Sequence, residues 1–207
     1  MKRLYLRHEK LWLALAGLAE YLLGYFGANS FTVGRQAATL DTDLDRMIPF
    51  VVPWVFVYSL AYPLCFTPAI FVADPRRCRT VFVAFTLAMA MGVTTFIAFP
   101  VVMPRPPLPE HATGGWLLAL TWSLDKPYNC FPSLHVALDS LAALAIYPSN
   151  PRAGLAVGIV AALISLSTMF VKQHYWLDVV SGFAVAVIAV RAANSRVLRR
   201  CVRARAL

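Results

Sequence analysis

Apolar residues run in long blocks along this chain, and polar residues gather in the short gaps between them. The blocks are Leu11–Phe26, Met47–Val72, Thr80–Met103, Pro132–Tyr147, Ala153–Val171 and Trp176–Ala193. A helix needs about 20 mostly apolar residues to cross a bilayer, so the pattern predicts an all-α bundle of six transmembrane helices. The second block carries Pro49, Pro53, Pro63 and Pro68. An interior proline removes a backbone donor and kinks a helix. Membrane helices tolerate this where neighbours satisfy the freed carbonyls, so this span is predicted to be bent or broken. Trp116–Trp122 is apolar but too short to span, and reads as a re-entrant or interfacial piece.

Composition agrees with the pattern. The chain is 59% apolar and 14% charged, against about 45–50% and about 25% in soluble domains. It is expected to be an integral membrane protein with a single domain over residues 1–207 and a basic tail over 191–207. The net charge of +9 raises nucleic-acid binding. The cations lie in gaps between apolar runs rather than on one soluble face, which excludes it. Cys65, Cys78, Cys130 and Cys201 have no paired spacing, so neither a zinc site nor a disulfide is expected. The first helix superficially resembles a signal peptide, with Gly27-Ala28-Asn29 as a weak cleavage site. An uncleaved helix fits the charge pattern better.

Lysine and arginine are retained on the cytoplasmic side of a membrane. With the N-terminus inside, all 19 cations fall on the inner side except Arg35, Arg46, Arg105, Lys126 and Lys172. Both termini are therefore expected in the cytoplasm. Arg105, Lys126 and Lys172 lie beside two histidine-bearing runs that share the outer side, and outer cations beside such runs suit an anion site.

Those runs are Asn129-Cys130-Phe131-Pro132-Ser133-Leu134-His135 and Ser167 to Asp178. His174 and Asp178 are spaced i,i+4, so they share a helix face if the helix begins just before His174. A carboxylate on one imidazole nitrogen fixes the tautomer and leaves the other as nucleophile or base. Taken singly, they read as readily as an interfacial histidine beside a dipole-favouring aspartate. Pro132 suits the first turn of a helix, whose free N–H groups at Ser133, Leu134 and His135 attract phosphate. His135 suits proton donation to a leaving group. Taken singly again, this reads as an ordinary helix start. Together, two helix-end histidines, an aspartate and three cations suit attack on phosphorus.

The runs resemble the type 2 phosphatidic acid phosphatase (PAP2) superfamily, whose motifs are K-x6-R-P, P-S-G-H and S-R-x5-H-x3-D. Here they stand as Arg105-Pro106, Pro132-Ser133-Leu134-His135, and Ser167-Thr168, five residues, His174, three residues, Asp178. The resemblance covers about residues 80–190. It implies a phosphohistidine at His174, oriented by Asp178, with His135 as general acid. Arg105, Ser133 and Ser167 would form the phosphate cradle. It implies no metal and no cofactor. Two departures stand out: the family lysine is Ala98 and the family arginine is Thr168. Lys172 and Lys126 are the candidate replacements. The run with Thr168 and Lys172-Gln173-His174-Tyr175 looks more like the inositol phosphorylceramide synthase branch, which moves a phospho-head group between alcohols. A cradle with fewer cations also suits a singly charged phosphodiester.

Asp139, one turn below His135, is an ionisable residue inside a span and so a functional candidate. Orienting His135, receiving a hydrogen bond from an acceptor hydroxyl, and pairing with another helix all remain open for it. Glu20 suits a structural role, and Asp41, Asp43 and Asp45 suit a solvated loop. The expectation is a bacterial inner-membrane enzyme with its site on the periplasmic face, acting on a phospholipid or lipid phosphate. Head-group transfer to an alcohol or polyol is favoured over hydrolysis of phosphatidic acid or polyprenyl phosphates. A non-catalytic lipid-binding protein is the remaining alternative.

Overall fold

The computed structural model describes residues 2–195, with side chains from His8 onward. The expected basic tail from Arg196 to Arg205, and Cys201, lie outside the described residues. The elements are α1 (Lys2–Thr32), α2 (Asp43–Met47), a 3-10 turn (Val52–Trp54), α3 (Val55–Tyr58), α4 (Ala61–Leu64), α5 (Pro68–Phe71), α6 (Pro75–Ala98), α7 (Gly115–Leu124), α8 (Leu134–Ile146), α9 (Pro151–Phe170) and α10 (Trp176–Ala193). The described residues contain no strand, only isolated bridges joining Val101 to Ala38 and to Asn129.

Among the described residues, four helices are long and apolar enough to cross a membrane: residues 8–32 of α1, then α6, α9 and α10. The other two predicted spans are not continuous membrane-length helices. The block Met47–Val72 breaks into the 3-10 turn and the single turns α3, α4 and α5, because its prolines cannot donate to the helical ladder. The fourth span is the 13-residue α8, about 20 Å long at 1.5 Å per residue against a hydrocarbon core of about 30 Å. The third helix is shifted toward the N-terminus of its block. Asp74 accepts from Arg76 N–H and Pro75 occupies the first turn, while Pro100 follows its end and disfavours helix at Phe99.

Helix α8 is the axis of the bundle, packed against α4, α5, α6, α9 and α10. Its core partners include Tyr21 and Tyr25 of α1, Phe85, Met89 and Phe96 of α6, and Ala186 and Ala189 of α10. Lipid is as apolar as leucine, so helices in a bilayer associate through close packing at small residues. Gly182 of α10 lies so close to the start of α8 that a Cβ would collide with Ser133 O, and one at Gly92 of α6 would strike Leu134. Leucines and isoleucines that face away from the bundle, such as Leu155, Ile159, Leu163 and Leu166 of α9, remain exposed. That is the surface expected against lipid.

A histidine pair at one end of the bundle

The N-termini of α8 and α10 and the C-terminus of α9 meet at one end of the bundle. Ser133 caps α8, accepting from Val136 N–H, and its own N–H donates to Asp178 O at 3.0 Å. One backbone bond thus ties the two histidine runs together. It also corrects an expectation, since the Ser133 N–H is engaged by α10 rather than left for phosphate. At the end of α9, Thr168 O accepts from the N–H groups of Gln173 and His174. Lys172 in between adopts a left-handed conformation (φ 52°), and this turn aims His174 inward.

His135 Nδ1 and His174 Nε2 are 3.4 Å apart, and both residues are buried. His174 Nδ1 lies 3.0 Å from Cys130 O and 3.3 Å from Asp178 Oδ2. A carbonyl oxygen only accepts, so Nδ1 carries the hydrogen and Nε2 keeps its lone pair. The same Asp178 oxygen accepts from Tyr175 N–H at 2.9 Å, closing the first turn of α10. On the far side, Tyr58 Oη lies 3.1 Å from His135 Nε2. A hydroxyl can donate or accept, so Tyr58 satisfies that nitrogen whether or not it is protonated.

Arg105 is half-buried. It donates to Trp122 O at 2.9 Å, to Asp125 O, and to Gln173 Oε1 at 3.0 Å. Gln173 precedes His174, so Arg105 is linked through the Gln173 side chain to the segment that carries His174. Burial lowers the Arg105 pKa from its usual value, and the Asp125 carboxylate opposes that shift. Asp125 is buried and receives the Tyr25 hydroxyl on both oxygens, at 2.9 and 3.0 Å. Burial raises its pKa to about 6, against the lowering effects of the Tyr25 hydrogen bond, His174 and Arg105.

The remaining predicted site residues are placed differently. The Lys172 ammonium donates to Asp45 O at 3.0 Å and Ile48 O at 2.6 Å, holding the α2 region rather than the histidines. Lys126 is exposed, and its carbonyl accepts from Asn29. The Ser167 hydroxyl is fully buried and donates back to Ile164 O at 2.6 Å. Asp139 is buried on α8 with no hydrogen-bond partner for either carboxylate oxygen. Asp45, expected in a solvated loop, is buried instead. Its Oδ2 accepts from Thr42 and its Oδ1 from Trp176 N–H. Ion pairs from Asp41 and Asp43 go to Arg46.

Tyr58, Tyr25, Asp125 and Gln173 were not predicted. Tyr58 sits in a proline-broken apolar block and Tyr25 among aromatic residues at a helix end, where no local pattern marks them. Asp125 adjoins Lys126, and Gln173 lies within the run Lys172-Gln173-His174-Tyr175, where it carries no expected role of its own.

A PA-phosphatase related-family protein of Dictyostelium discoideum is 23% identical over 189 residues, covering 86% of this chain and 31% of that protein. The chain therefore spans about a third of the length of that relative. No solved structure matches. The PAP2 superfamily matches residues 39–192, a stretch that holds both histidine runs, Arg105 and the broken second block. The paired imidazoles and their aspartate thus sit within a family match that covers most of the sequence, and the chain belongs to the PAP2 superfamily, whose activities are of the lipid phosphatase and phosphotransferase type.

Proposed function

We propose that the chain is a membrane phosphotransferase of the inositol phosphorylceramide synthase type, moving the phospho-head group of a lipid phosphodiester to an alcohol through a phosphohistidine. The observation that carries this reading is the unbroken relay from Tyr58 through His135 and His174 to Asp178, with contacts of 3.1, 3.4 and 3.3 Å. His174 Nε2 has the lone pair needed for attack. As its bond to phosphorus forms, the bond from phosphorus to the lipid oxygen breaks. His135 delivers a proton to that departing oxygen. In the second half, His135 takes the proton of an acceptor alcohol whose oxygen attacks phosphorus, and the phosphorus–nitrogen bond breaks. The bound phosphoryl group replaces the direct imidazole contact. Arg105 is the cation of the cradle, and exposed Lys126 attracts the anionic lipid. Ser133, Ser167 and Lys172 serve as scaffold, because their polar groups are already engaged with backbone.

The test uses the full chain in nanodiscs with a lipid phosphodiester radiolabelled in its head group, with and without short polyols. The expected product is the labelled ester of the polyol, with acid-labile label retained on the protein and absent in His174→Ala. Release of the labelled phospho-head group as a free monoester, with no polyol ester, would establish the hydrolytic reading instead. That second reading is favoured by the similarity to the Dictyostelium discoideum PA-phosphatase related-family protein.

A further inference from the structure

Arginine can only donate hydrogen bonds. The bond from Arg105 to Gln173 Oε1 therefore fixes the amide, with oxygen toward the guanidinium and NH2 away from it. That NH2, Arg105 Nε and Trp122 Nε1 are all buried donors without a hydrogen-bond partner in the protein. They belong to one cluster, since the Arg105 guanidinium carbon lies 5.2 Å from the centre of the Trp122 ring. A buried donor left unsatisfied costs about 1–3 kcal/mol. Three such donors beside a phosphoryl-transfer site are accounted for by an anion that accepts from them.

The charge around this cluster is sparse. Arg105 is its cation, the family's other clamp positions are Ala98 and Thr168, and the Lys172 ammonium is turned to two carbonyls. Close by is the Asp125 carboxylate, which is buried and held by the Tyr25 hydroxyl. The groups acting on it are Tyr25 of α1, Arg105 and His174. Its raised value of about 6 leaves it ionised at neutral pH. One guanidinium beside one carboxylate matches a single negative charge poorly enough to need the neutral donors, and a second charge worse.

We infer that Gln173 supplies a neutral donor that holds the phosphoryl oxygens of either ligand, and that the Asp125 carboxylate, with no second cation at position 173 to offset it, selects a phosphodiester anion over a phosphomonoester dianion. The inference rests on the proposed function for the identity of the site, but its test reads binding and needs no turnover. Failure of transfer would sink the proposed function and leave the binding result to be judged by itself.

The experiment measures binding of short-chain phosphatidylglycerol, a diester, and short-chain phosphatidic acid, a monoester, to the detergent-solubilised full chain at pH 8. The wild type is expected to bind the diester about tenfold tighter or more, since juxtaposed like charges cost several kcal/mol. Asp125→Asn and Gln173→Lys should each shift the affinity ratio toward phosphatidic acid by about tenfold. Gln173→Met, which removes the donor without adding charge, should weaken both ligands and leave the ratio unchanged. If Asp125→Asn does not fold, Gln173→Lys decides alone. A wild-type ratio near one or favouring phosphatidic acid, or a ratio that Gln173→Lys leaves unmoved, would overturn the inference.

Discussion

Asp178 does two jobs with one oxygen, closing the first turn of α10 through Tyr175 N–H and holding His174 Nδ1. Cys130 O shares the second task from another segment. The ring of His174 is therefore fixed by groups that do not react, which is what a nucleophile needs. His135 is supported from outside the family motifs, by Tyr58. Removing that hydroxyl leaves a buried ring nitrogen short of a partner, at a cost of about 1–3 kcal/mol. Tyr58→Phe is expected to slow turnover by about tenfold with KM nearly unchanged, and to lower the thermal midpoint by several degrees. Steady-state kinetics on wild type and variant, with melting curves alongside, checks this. An unchanged kcat would remove Tyr58 from the relay.

At the level of elements, the site depends on how closely α10 meets α8. Gly182 permits that approach and the bond from Ser133 N–H to Asp178 O follows from it. Gly182→Val forces the helices apart, and overpacking of this kind costs about 1–3 kcal/mol. The melting temperature should drop by about 2–8 °C and turnover should fall further than Tyr58→Phe lowers it, because both histidines lose register. Gly27→Ala, where a Cβ meets nothing within 4 Å, is the matched control and should behave as wild type. The broken block between Met47 and Val72 has a use at this scale too. A continuous helix would carry its side chains in one fixed spiral, whereas short turns bring Tyr58 to His135 and let Val52 and Val55 pack with Leu118 and Val171.

For the whole molecule, two measurements bear on stability and on placement in the membrane. The Asp125 carboxyl titrates at about 6 in the folded protein, above its ordinary value of 3.8. A raised carboxyl pKa means the folded state holds a proton that the unfolded chain has released. Its contribution to stability is full below about pH 4 and is lost as pH rises through about 6. The melting temperature of wild type relative to Asp125→Asn, which does not titrate, should therefore fall as pH rises from about 4 through about 6 and level off above pH 7, as melting curves across that range would reveal. A difference that is flat with pH would mean Asp125 does not titrate there. The distribution of lysine and arginine predicts a second result. Reporter fusions at either terminus should report a cytoplasmic location, and an external signal from either would reverse the assignment of the site to the outer face.

Much of the chemistry was legible in local sequence because it follows from short spacings. His174 and Asp178 do meet and Ser133 does mark a helix start, but α10 begins at Trp176, after His174, and Pro132 precedes the first turn of α8 rather than occupying it. Membrane character was equally plain, since long apolar runs have few other uses. The third block was misjudged in extent, because Asp74-Pro75 and Pro100 set the ends of its helix outside and inside the apolar run. Pairing across the chain had no local sign. Nothing near Tyr58 points to His135, 77 residues later, or near Tyr25 to Asp125, 100 residues later. The sequence by itself determined which residues carry imidazole and carboxylate chemistry and that they sit at the ends of membrane helices, because spacing and hydropathy are local properties. Only the tertiary structure decided which cations reach them, turning Arg105 toward Gln173 and Lys172 toward Asp45, because the direction of a long charged side chain is set by whichever carbonyls the packed backbone presents to it.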